Sequence, residues 1–115
     1  MTLTMFGIPN CDTIKKARAW LDQQGFGYRF HDYKKQGVDR EQLVRWVDQV
    51  GWEVLLNRRG TTFRALPDAA KTGLDADKAV ALMAANPSCI KRPVVEYSSG
   101  LLVGFDPTAW EQALR

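Results

Sequence analysis

The sequence predicts an α/β fold. A β-α-β unit leads the chain, a helical stretch follows, and a β-β-α unit closes it around one mixed sheet. Three observations carry this. An alternating run ends in Gly7-Ile8-Pro9, and apolar residues at helical spacing follow it. A second alternating run, Tyr28 to Tyr33, comes after a glycine stop within about 30 residues of the first, the span of a βαβ unit with parallel strands. Late in the chain two apolar runs flank Ser98-Ser99-Gly100, the pattern of a hairpin.

The first strand is expected over Thr2 to Phe6. Pro9 keeps the preceding residue out of the helical region, so no helix starts before it. From Asp12 the apolar positions Ile14, Ala17, Trp20 and Leu21 predict a helix, with Gly25 as its stop. Lys34-Lys35-Gln36-Gly37 is expected to be a polar loop. Asp39 and Gln42 have capping-box spacing, and Val38 can staple onto Leu43. The next helix presents Leu43, Trp46, Val47 and Val50 on one face and stops at Gly51. Trp52 to Leu56 predicts a short helical piece, and Asn57 to Leu66 a basic, irregular stretch. Asp75 is placed to cap a third helix that Asn86-Pro87 ends. Val94 to Tyr97 and Leu101 to Phe105 are the hairpin strands. Asp106-Pro107 opens a last helix that packs through Trp110, Ala113 and Leu114.

These elements fit one domain over residues 1–115, with a helical insertion at about 38–86. At 115 residues, 45% hydrophobic and 25% charged, the chain can bury a core without a metal or disulfide staple. The net charge of +3 is spread among acidic residues, which argues against a nucleic-acid-binding tail and favours anionic small molecules only weakly. No apolar run reaches the roughly 18–20 residues of a membrane span, and no signal-peptide pattern opens the chain. The expected compartment is the cytoplasm, where thiols stay reduced. Two cysteines and one histidine, far apart, lack zinc-site spacing, so no metal is expected.

The chemistry centres on Cys11, which follows a strand and a turn at the point where a helix begins. A helix start presents unpaired N–H groups and partial positive charge, both of which favour a thiolate. Lys15 lies within reach of that thiol, whereas Lys16 and Arg18 are assigned to a solvated face. Ile14 stands where a Cys-x-x-Cys pair would have its second thiol, so release of an adduct needs an external thiol or Cys89. Cys89 is preferred as a core residue. His31 is taken as structural, because thiolate chemistry needs no general base here. The four tryptophans sit at apolar helical positions and are assigned to packing.

Three segments carry a family resemblance. Asn10-Cys11-Asp12-Thr13 lies at the first strand–helix junction, Leu55-Leu56-Asn57-Arg58-Arg59-Gly60 ends the insertion, and Ile90-Lys91-Arg92-Pro93-Val94-Val95 enters the third strand. In that order, and over essentially the whole chain, they resemble the ArsC/Spx family of arsenate reductases and their regulatory relatives, above all its YffB-like branch. The resemblance implies a thioredoxin-like fold with an inserted helical region. It also implies a cis Arg92-Pro93 loop beside Cys11, with Arg92 binding an anion through its planar fork. Asn57 falls at the family's second anion-binding position, and Arg58 serves there if the loop shifts by one residue. Asn10 and Thr13 flank the thiol and can hydrogen-bond a substrate or the sulfur. Gly104-Phe105-Asp106-Pro107 lacks the arginine that arsenate reductases carry before the last helix, which speaks against arsenate as substrate.

The resulting expectation is a thiol reductase using Cys11 and no tightly bound cofactor. Glutathione is its co-substrate, glutaredoxin a further partner, and a small anionic or disulfide compound its substrate. Two alternatives stay open: a regulator that binds RNA polymerase as Spx proteins do, and a true arsenate reductase with an altered arginine set. A monomer is the default.

Overall fold

A computed structural model describes residues 3–115. Thr2, the expected first strand residue, lies outside the described residues. The contacts divide the chain into two compact units: residues up to Gln36 together with Arg92–Arg115, and the continuous segment Gly37–Lys91.

The first unit is built on a four-stranded mixed sheet of thioredoxin-like type. β1 (Leu3–Gly7) pairs in parallel with β2 (Tyr28–Asp32) and antiparallel with β3 (Val94–Tyr97), and β4 (Gly100–Val103) pairs antiparallel with β3, giving the order β2-β1-β3-β4. Leu3 and Met5 point to one face, as strand alternation requires, and Phe6 to the other. On the first face, Leu3, Met5 and Val95 meet Ile14, Ala17 and Leu21 of α1 (Asp12–Gln23) and Trp110 and Leu114 of α8 (Pro107–Leu114) in one buried cluster. Trp20 is only partly buried at its margin, edge-on to Trp110 and Phe105. α1 ends in a Schellman turn: Gly25 takes φ +78°, its N–H donates to the Asp22 carbonyl, and that of Phe26 to Leu21.

Several boundaries differ from the sequence expectation. The second strand stops at Asp32, and Tyr33–Gln36 forms a single helical turn, α2, in place of a polar loop. The reason is local. Asp32 Oδ1 accepts the Lys34 N–H at 2.9 Å, and Gln36 Oε1 accepts the Asp32 N–H at 3.1 Å, an exchange that closes the turn. The hairpin loop is two residues, because Gly100 already pairs with Tyr97. β4 ends at Val103 because Gly104 turns the chain at φ +78° and donates its N–H to the Pro93 carbonyl. Phe105 therefore leaves the sheet and packs against Trp110 at 5.0 Å between ring centres.

The second unit is helical: α3 (Arg40–Val50), α4 (Trp52–Leu55), α5 (Thr61–Arg64), α6 (Asp68–Lys71), α7 (Ala76–Ala85) and a 3₁₀ turn, Pro87–Cys89. α3 and α7 pack together through Leu43 and Trp46 on one side and Ala79, Val80, Leu82 and Met83 on the other. Asp75 caps α7 through the Lys78 N–H, and Gly51 ends α3 at φ +90°. Asp39 occupies the N-cap of α3, yet its side chain makes no cap bond, so the expected capping box is absent. Residues 57–66 are not wholly irregular, since they contain α5. α6 buries no residue and so left no apolar pattern to find. Among the described residues no helix is long and apolar enough to cross a membrane, and no cluster of three metal-ligating side chains occurs.

Candidate active site

Strand register gathers the candidate residues of the first unit at one end of its sheet. Gly7, the last residue of β1, pairs with Asp32, and Phe6 faces Val94. The segment after β1, the residue after β2 and the residues before β3 therefore emerge together. Gly7 makes this close fit possible, since a Cβ there would run into the Ile14 side chain. Ile14 is fully buried and pins α1 against the strand exit.

Cys11 occupies the N-cap of α1 in an extended conformation, φ −126° and ψ 127°. Its carbonyl accepts the Lys15 N–H at 3.0 Å, while its side chain makes no cap bond. The first-turn N–H groups are thus left without a capping side chain beside a free, half-buried thiol. Asn10, Thr13 and Lys15 border it in sequence and are exposed. Arg18 is not on a solvated face. Its Nε donates to the Tyr28 hydroxyl at 3.0 Å, and its guanidinium lies 4.5 Å from the Phe30 ring centre, so its charge is held over β2.

Arg92 is half-buried and joined to buried Pro93 through a cis peptide bond. Its charge is felt by Tyr33, a residue that sequence reasoning passed over as a strand terminus. The Tyr33 side chain is 1% exposed, and its hydroxyl finds no hydrogen-bond partner among the described residues. Burial drives its pKa far above the ordinary 10.0; the Arg92 guanidinium opposes this, and the Glu96 carboxylate adds to it. Tyr33 and His31 pack around Phe6, with ring centres 6.4 and 4.8 Å away, so His31 belongs to an aromatic group on the sheet face opposite α1. Before the last helix, the Asp106 carboxylate is committed to capping α8 through the N–H groups of Thr108 and Ala109, and Phe105 is partly buried against the core cluster. That segment contributes no cation.

Arg58 belongs to the second unit, where its guanidinium lies 5.5 Å from the Trp52 ring centre. In that unit Leu56 and Ile90 form an antiparallel bridge. It is flanked by bonds from the Asn57 N–H to the Cys89 carbonyl at 2.7 Å and from the Lys91 N–H to the Leu55 carbonyl at 2.9 Å. A cavity of about 320 Å³ opens beside the bridge, lined by Glu53, Leu56, Asn57, Arg58, Arg59 and Lys91. Cys89 is 1% exposed, and burial pushes its thiol pKa up. It is a core residue.

Fold and site define a protein with one accessible thiol, at the first strand–helix junction of a thioredoxin-like sheet. A match to the ArsC family spans residues 6–113, and the chain belongs to that family. A solved structure of a protein named YffB is 54% identical, with a TM-score of 0.96, covering 98% of this chain and 99% of its own. The solution structure of an arsenate reductase related protein from Brucella melitensis is 52% identical, with a TM-score of 0.78, covering 100% of this chain and 96% of its own. Among curated proteins, an uncharacterized protein of Haemophilus influenzae is 40% identical over 96% of this chain and 97% of its own length. The global transcriptional regulator Spx of Streptococcus mutans is 26% identical over 90% of this chain and 77% of its own length.

Proposed function

We propose that the chain is a thiol-dependent oxidoreductase acting through Cys11 and recycled by glutathione. The observation that carries this reading is the contrast between the two thiols. Cys11 is half-buried at a helix N-cap with its side chain uncommitted, and Cys89 is sealed in the core.

The Cys11 thiolate attacks one sulfur of a disulfide. A Cys11–S–S–R bond forms, and the other half leaves as a thiolate with the electron pair of the broken bond. Ile14 offers no second thiol, so the thiolate of glutathione attacks the R sulfur, forms G–S–S–R and returns Cys11 as thiolate. The first-turn N–H groups of α1 favour negative charge at that sulfur. Arg92, with Lys15, Asn10 and Thr13, receives the anionic part of the substrate, and Pro93 holds the Arg92 loop. No tightly bound cofactor is required. Glutaredoxin serves to clear the glutathione adduct, and the supply of glutathione assigns the work to the cytoplasm. With Phe105 and Asp106 where an arsenate reductase carries arginine, a disulfide sulfur is favoured over arsenate as the electrophile. The test is glutathione-dependent turnover of a mixed disulfide, with arsenate as a parallel substrate. Cys11→Ser abolishes turnover; turnover that persists in this variant sinks the reading, and arsenate-dependent thiol consumption would move it to arsenate reduction.

Similarity to the Spx regulators favours a second reading, a regulatory protein that binds RNA polymerase. Ile14 removes a Cys-x-x-Cys switch, so such binding would not depend on redox state. Co-purification with the polymerase that survives Cys11→Ser would support it over the enzyme.

A further inference from the structure

Arg18 is held more firmly than a surface arginine requires, and the thiol chemistry described so far gives it no task. Its Nε donates to the Tyr28 hydroxyl at 3.0 Å, and its guanidinium lies 4.5 Å from the Phe30 ring centre and 5.9 Å from that of Tyr28. The residue is half-buried. Its two terminal NH₂ groups, the end that grips a carboxylate through paired hydrogen bonds, bond to no described residue. Asp22 stands one turn further along α1, and Asp32 follows Phe30 on the same sheet face, yet neither forms an ion pair with it. The Asp32 carboxylate is engaged instead by the Lys34 N–H. A guanidinium fixed along one edge and open at the other is an assembled binding group, with little side-chain freedom left to lose.

Helix geometry places this fork on the same flank of α1 as the reactive thiol. Cys11 begins the helix and Arg18 follows seven residues later, nearly two full turns, about 10 Å along the axis. Helical side chains lean toward the N-terminus, so the guanidinium lies nearer to Cys11 than that rise. Phe30 marks the way between them. Its ring carries the guanidinium, and a Cβ at Gly7 would lie 4.0 Å from its Cε1, at the strand exit that leads into Cys11.

We propose that Arg18 binds a carboxylate of the group joined to Cys11 and so selects glutathione as R in the Cys11–S–S–R intermediate. This rests on the reductase reading and names its substrate class: disulfides with a glutathionyl half. With glutathione disulfide, the Cys11 thiolate attacks one sulfur and forms Cys11–S–S–G. The original S–S bond breaks, and the second glutathione leaves as a thiolate with its electron pair. The half that stays must reach Arg18 with a carboxylate. One on the cysteinyl residue itself sits too close to the sulfur, whereas one on a neighbouring residue comes into range at about 3.3–3.6 Å per extended residue. Glutathione carries a carboxylate on each neighbour of its cysteine. β1 lies between β2 and β3, so Arg18 serves the side of β2 and Arg92 the side of β3, one cation for each carboxylate.

Intact-mass spectrometry of Cys11 adducts tests this. Second-order rates of adduct formation are measured with glutathione disulfide and with the disulfide of glutathione diethyl ester, the same peptide without free carboxylates. Arg18→Gln should lower the ratio of the two rates about tenfold, and Arg18→Lys should restore only part of it, since an ammonium lacks the fork. Tyr28→Phe keeps the guanidinium but removes the bond that fixes it, and should lower the ratio about threefold. The ester rate reports in every variant that Cys11 and the fold are intact. Lys16→Gln removes the same charge from an exposed position of α1 and should leave the ratio unchanged. A ratio unmoved by Arg18→Gln, or lowered equally by Lys16→Gln, overturns the assignment of Arg18 while the adducts themselves keep the reductase reading. If Cys11 of the parent forms no adduct with either disulfide, the reductase reading falls and the role of Arg18 falls with it.

Discussion

Cys11 and Cys89 are the same side chain in opposite settings, and each setting makes a prediction. In the native protein iodoacetamide should modify Cys11 while Cys89 is labelled only after denaturation, a pattern that peptide mass spectrometry reads directly. Cys89→Ser should cost about 1–3 kcal/mol in urea unfolding, because it trades a thiol for a hydroxyl at a buried position. Tyr33 adds a pH effect. Its folded pKa lies above the ordinary 10.0 and that of Cys89 above the ordinary 9.0, both through burial first. Each group therefore holds its proton in the folded state after the unfolded chain has released it. Their stabilisation is complete below those ordinary values and is lost as pH rises through them toward the folded ones. Unfolding free energy should fall above pH 9.0, and Tyr33→Phe should flatten the part of the fall above pH 10.0. At neutral pH Tyr33→Phe should leave stability unchanged or raise it by about 1 kcal/mol, since it deletes a buried hydroxyl with no partner among the described residues.

At the scale of elements, the caps separate position from bond. Asp75 and Asp106 both accept backbone N–H groups at their helix starts, and Asp39 does not. Asp75→Ala and Asp106→Ala should each cost about 1 kcal/mol, while Asp39→Ala should stay within about 0.5 kcal/mol of the parent. Thermal or urea unfolding of the three variants distinguishes them. Gly7→Ala should cost about 1–3 kcal/mol by driving α1 off the strand exit. The same contrast explains what was legible. α1, α3, α7 and α8 announce themselves through 3.6-residue periodicity, with Asp or Gly at their ends. α2, α5 and α6 are four residues each, too short to show a period, and α2 exists because Gln36 reaches back to Asp32. Cys11 could be found because Gly7, Pro9 and the following helix frame it locally. Lys91 and Arg59 could not be grouped, because it is the Leu56–Ile90 bridge, a pairing of residues far apart in sequence, that brings them to one cavity. Tyr33 was hidden for a related reason: its burial beside Arg92 and Glu96 comes from strands distant in sequence.

For the molecule as a whole, the order β2-β1-β3-β4 puts the earliest strand in the middle of the sheet, between partners from opposite ends of the chain. The Gly37–Lys91 unit is continuous, so every contact within it can form once its own residues exist. The sheet has no such freedom. Met5 is matched to Val95, and the cluster that buries Met5 includes Trp110 and Leu114. On the ribosome, then, β1 emerges before both of its partners and has only β2 to pair with until β3 has been made. Its remaining edge, Thr4 to Phe6, stays open through the synthesis of the whole inserted unit. Pairing across so long a loop is also slow once it becomes possible. The strand that leads into Cys11 is made before both of its partners and enclosed only after the later one.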